Sequence, residues 1–115
     1  MLTLALDTSS EFFSVALAHS QDGATPEILF EATHGQAKRH LVDIFASIDM
    51  ALKSQNLKPN QLDHIAVTTG PGSFTGVRLG VLVARTLAQV HGCKISEVQA
   101  HDALALAVAR ANMLK

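Results

Sequence analysis

The stretch Thr69-Gly70-Pro71-Gly72-Ser73-Phe74-Thr75-Gly76-Val77-Arg78 holds the densest set of residues in this chain whose types and spacing suit chemistry. It leaves the apolar run Ile65-Ala66-Val67 and enters an amphipathic one from Val77 onward, so its three glycines and one proline shape a strand-to-helix turn. Such a turn gathers backbone N–H groups. With the positive end of the following helix dipole behind them, Gly70, Gly72, Ser73 and Gly76 would receive a phosphate, a carboxylate or a partner's carbonyl. A purely structural reading stands beside this one, because glycines also serve turns that need positive φ or a close backbone contact. Arg78 falls in the first helical turn, where its charge opposes the dipole at a cost of ~0.3–1 kcal/mol unless an anion or a partner's acid offsets it. Asp7 and Thr8 end the apolar run Leu2 to Leu6. A carboxylate there can orient a cation or water near phosphates, or simply accept N–H bonds from Ser9 or Ser10 in a turn.

The familiar catalytic patterns fail on spacing. A dinucleotide fingerprint needs Gly-x-Gly-x-x-Gly, but Gly70, Gly72 and Gly76 run one residue too long and follow the fourth strand. A Walker A loop needs a lysine and a hydroxyl after its last glycine, where Val77-Arg78 stands. A nucleophile elbow needs glycine two before and two after Ser73, where Pro71 and Thr75 stand. His34 and His40 lie six apart, and His19, His64, His91 and His101 fall on different elements, so no helical pair of metal ligands forms. No metal and no cofactor is expected.

The elements that position these residues follow from periodicity. Leu2 to Leu6, Phe12 to Ala18 and Ile28 to Phe30 read as three strands with short polar links, an antiparallel meander. From Gln36 the period changes, and Leu41, Ile44, Phe45, Ile48 and Leu52 fall on one face of a helix running to Gln55, with Val42, Met50 and Ala51 widening the apolar sector. Pro59 ends it. Gln61-Leu62-Asp63 reads as one tight turn, and His64 to Thr68 as the fourth strand. The next helix carries Val77, Val81, Ala84 and Ala88 on one face and Leu79, Val83 and Leu87 on another, so it is buried between layers or partly by another chain. Gly80 and Ala84, one turn apart, allow close helix approach. Gly92 suits a left-handed cap, Lys94 to Val98 a fifth strand, and Asp102 to Met113 an alanine-rich last helix. Strand, strand, strand, helix, strand, helix, strand, helix is an antiparallel hairpin region continued by parallel crossovers.

Composition sets outer bounds. The chain of 115 residues is 48% hydrophobic, enough for one core and not two. A formal net charge of −1 supplies no broad attraction to nucleic acid, and Lys38-Arg39-His40 is only a short basic cluster. Cys93 is the lone cysteine and suits a reducing compartment, which with no secretory signal or membrane span in Met1 to Leu6 gives a cytoplasmic expectation.

Leu4-Ala5-Leu6-Asp7-Thr8-Ser9, Ser14-Val15-Ala16-Leu17, Arg39-His40 and above all Gly70-Pro71-Gly72-Ser73-Phe74-Thr75-Gly76-Val77-Arg78-Leu79-Gly80 resemble the TsaB family, also called YeaZ, in order and with similar spacing. The resemblance implies an α/β fold, the ribonuclease-H-like lobe of the actin, sugar kinase and Hsp70 superfamily, with a mixed five-stranded sheet and helices. It implies a non-catalytic scaffold in bacterial synthesis of threonylcarbamoyladenosine, beside the anticodon of tRNAs reading codons that begin with A. The implied partners are a TsaD-type subunit, which carries the metal in that family, a TsaE-type ATPase reached through the complex, and a second copy in a homodimer, with tRNA met only indirectly and no membrane. Family members continue into a second lobe, so residues 1–115 are expected to be a single N-terminal lobe. The helices then offer Leu41, Phe45, Ile48, Val77, Val81, Ala84 and Ala88 to a partner. The alternative is an enzyme-like lobe that binds ATP or an acyl-adenylate through Asp7, Thr8 and the loop from Gly70 to Gly76.

Overall fold

The computed structural model describes residues 1–8, 13–21, 26–34, 41–69 and 74–98. The strands are β1 (Leu2–Asp7), β2 (Phe13–His19), β3 (Glu27–His34), β4 (His64–Thr68) and β5 (Lys94–Val98), and the helices α1 (Leu41–Ser54) and α2 (Phe74–His91). They form one sheet in the order β3-β2-β1-β4-β5. β1 pairs antiparallel with β2 and parallel with β4, β2 antiparallel with β3, and β4 parallel with β5. This is the mixed α/β sheet expected of a ribonuclease-H-like lobe. The last helix expected from Asp102 lies outside the described residues, as do residues 36–40 of the first.

Alternation on the strands decides which face is the core. Leu2, Leu4 and Leu6 of β1, Phe13, Val15 and Leu17 of β2, and Ile65 and Val67 of β4 point to one side and are buried there. They join Ile44, Ile48, Ala51 and Leu52 of α1 and Val83, Ala84 and Leu87 of α2 in one cluster, so both helices cover the same face. Pairing slips between Leu17↔Phe30 and Ala18↔Ile28, leaving Leu29 as the extra residue of a bulge. Leu29 and Phe30 consequently both pack against the core, which strict alternation would forbid.

The two helices end by different devices. Past α1, Leu57 N–H donates to the Leu52 carbonyl (2.9 Å) and Asn56 N–H to that of Lys53 (3.1 Å), with Asn56 at φ 55, a Schellman ending. Pro59 thus begins the next feature instead of stopping the helix: it opens a 3₁₀ turn, Pro59–Gln61, two residues before the expected turn. Past α2, Gly92 at φ 71 donates to the Ala88 carbonyl at 2.8 Å, the expected left-handed cap.

Candidate functional site: a strand-end cluster and two helical faces

Ligands usually bind at the carboxyl ends of the parallel strands in α/β sheets, which makes the ends of β1 and β4 the candidate site. Asp7, the last residue of β1, accepts a 2.8 Å bond at Oδ1 from the Thr68 hydroxyl at the end of β4. Thr8, 2% exposed, donates from Oγ1 to the Gly76 carbonyl at 2.6 Å. Asp7, Thr8 and Gly76 are therefore brought together, with the first turn of α2 held over the strand ends. Arg78 follows on the exposed side of that turn. Gly70, Gly72 and Ser73 lie outside the described residues. Ser9 and Ser10, the partners for Asp7 read from the sequence, lie outside the described residues; the contact with Thr68 has no local signal, because the pairing of β1 with β4 sets it.

At the opposite end of the sheet, Asp63 accepts the Leu2 N–H at 2.8 Å and pins the start of β1. Burial pushes the thiol of nearby Cys93 above its ordinary range; a backbone hydrogen bond pulls it part of the way down and the charge of Asp63 adds to the rise. Such a thiol is a poor nucleophile. Among the described residues no group of three His, Cys, Asp or Glu side chains stands close enough to hold a metal ion, and no helix is long and apolar enough to cross a membrane.

The helical faces need a correction. Ile48, 3% exposed, and Ala84, 0% exposed, are core residues and present nothing to a partner, because the stripes that carry them are the ones turned to the sheet. Phe45, Val81 and Ala88 are half-buried against that core, Val77 is half-buried, and Leu41 opens α1. Among the described side chains of the two helices, the large apolar ones left in solvent are others: Val42 (76% exposed) and Met50 (59%) on α1, Leu82 (54%) and Val90 (69%) on α2. Val42 and Met50 had shown as a widened sector; Leu82 had a subtler signal, a leucine in the otherwise polar line Arg78, Arg85, Thr86 and Gln89. Gly80 differs too. It faces Thr8 of the strand end, not a neighbouring helix.

Residues 16–113 match the model of a family described as TsaD: tRNA N6-adenosine threonylcarbamoyltransferase. The chain is 34% identical over 105 residues to the tRNA threonylcarbamoyladenosine biosynthesis protein TsaB of Bacillus subtilis, covering 91% of this chain and 44% of that one. It is 45% identical over 85 residues to the protein of the same name from Haemophilus influenzae, covering 74% and 34%. The solved structure of YeaZ from Pseudomonas aeruginosa superposes with a TM-score of 0.73 at 30% identity, covering 85% of this chain and 43% of that one. The chain thus spans less than half the length of these relatives.

Proposed function

The chain belongs to the TsaB (YeaZ) group of the family that the transferase model describes, and from that premise we propose that it acts in tRNA threonylcarbamoyladenosine biosynthesis as a non-catalytic docking lobe for a TsaD-type subunit. The supporting observation is the solvent exposure of Val42, Met50, Leu82 and Val90 on two helices that already bury a full inner stripe. Large apolar side chains on outer helical faces are what a partner's helices would cover. A homodimer would use the same surface, and a TsaE-type ATPase and tRNA would be met through the complex.

A second reading, direct nucleotide binding, draws on the convergence of Asp7, Thr8 and Gly76 at the strand ends. One experiment separates the two. Leu82→Asp and Val42→Asp in the full chain should weaken capture of a TsaD-type subunit by roughly 30-fold, the loss of ~2 kcal/mol that defines a hot spot. Calorimetry of the same chain with ATP should give no heat. Undiminished capture would refute the docking role, and micromolar ATP binding without a partner would establish the second reading.

A further inference from the structure

We propose that Thr8 and Gly80 form a positioning pair that sets where α2 rests on the sheet, and thereby where Leu82 and Val90 stand for a partner; the functional half of this rests on the docking reading above. Inside the protein the Thr8 hydroxyl donates to the Gly76 carbonyl at 2.6 Å, joining the end of β1 to the first turn of α2. One turn further on, the same side chain lies against Gly80. A Cβ placed on Gly80 would stand 2.3 Å from Thr8 Oγ1, and 3.4 Å from its Cβ and Cγ2.

The hydroxyl draws the helix in, and the missing side chain lets it come; both act on one oxygen. Thr8 is 2% exposed and cannot swing away into solvent. Its strand end is held in turn by the bond from Thr68 to Asp7. Beyond Gly80 the inner line of α2 continues with Val83, Ala84 and Leu87, all in the core. Leu82 lies two residues from Gly80, roughly 200° around a 3.6-residue helix, so it projects from the opposite side. A methyl group wedged between Thr8 and residue 80 would lift the helix outward and carry Leu82 with it. Small residues one turn apart on a helix usually admit another helix; here the gap admits a strand-end threonine, which ties the height of the outer face to the sheet.

The test is a double-mutant cycle in the full chain, with affinity for a purified TsaD-type subunit read by sedimentation and folding read by circular dichroism. Gly80→Ala should weaken binding at least about tenfold, while Thr8→Ser, which keeps the hydroxyl, should stay within about twofold. Thr8→Ala removes the oxygen in conflict, so adding Gly80→Ala to it should change affinity by no more than about twofold. That last comparison carries the test if Gly80→Ala alone does not fold. A further tenfold loss on adding Gly80→Ala to Thr8→Ala, or unaltered binding by Gly80→Ala, would overturn the pairing even while Leu82→Asp still weakened binding. Unaltered binding by Leu82→Asp would instead overturn the docking role itself.

Discussion

α1 and α2 cover the same sheet face, yet they are held to it differently. α2 comes close enough to β1 that residue 80 has no room for a side chain, and a backbone carbonyl of its first turn is bonded by Thr8. α1 contains no glycine and rides on bulky side chains, Ile44, Ile48 and Leu52. Its polar ties run outward to β3. His34 Nε2 lies 2.9 Å from the buried Ser47 hydroxyl, its ring stacked on Phe13 at 4.7 Å, and Gln55 donates to the Leu29 carbonyl at 3.0 Å. One helix is fixed by close backbone approach near the strand ends. The other is fixed by side-chain volume and two struts to the edge strand, so its attachment should respond to volume where that of α2 responds to a single oxygen.

The largest expected effect tests that volume. Ile48→Ala removes a side chain that is 3% exposed from the middle of the inner stripe of α1. It should cost ~2–5 kcal/mol of stability in denaturant titration. Val42→Ala, on the same helix but 76% exposed, should change stability by no more than about 0.5 kcal/mol. Equal effects at the two positions would mean that the inner stripe is not what attaches α1.

That contrast also marks how far the sequence could be read. β4 and β5 were legible to the residue, β4 as an apolar run between Asp63 and the glycine loop and β5 as the short stretch that follows Gly92, which was itself legible as a cap because glycine accepts positive φ cheaply. Periodicity found both helices but not which apolar stripe faces the sheet. Ile48 and Ala84 therefore looked like partner surface, although packing against β1, β2 and β4 claims them. Contacts between residues distant along the chain gave no local signal: Thr68 with Asp7, Ser47 with His34, and above all Thr8 with Gly80, where a small residue read as room for a helix is room for a strand end. The bulge at Leu29 was equally hidden, because an extra residue in β3 shows only once β2 is paired with it.

A smaller effect probes the strut between α1 and β3. Ser47→Ala deletes the hydroxyl that meets His34 and leaves a half-buried imidazole nitrogen without that partner. The expected loss is ~1 kcal/mol, read as a shift of the denaturation midpoint at constant slope. Because α2 has its own attachment through Thr8, amide exchange should quicken in α1 and in β3 near His34 while the amides around Gly80 keep their protection. Uniform quickening across both helices would show that the two attachments are one cooperative unit.

The smallest effect comes from exchanging the devices that end the two helices. Asn56 adopts φ 55 and Gly92 φ 71, so both occupy the left-handed region, but only one of them is a glycine. Nothing lies within 4 Å of a Cβ placed on Gly92, so the backbone angle alone decides the outcome there. Glycine removes the steric cost of this conformation and adds entropy to the unfolded chain, two terms of ~1 kcal/mol each that largely cancel against asparagine, the next most tolerant residue. Asn56→Gly should therefore gain, and Gly92→Asn lose, only a few tenths of a kcal/mol by thermal denaturation. A loss of about 1 kcal/mol or more from Asn56→Gly would mean that the asparagine side chain itself holds the end of α1. The Schellman bonds from Leu57 and Asn56 would then be its consequence instead of the cause of the stop.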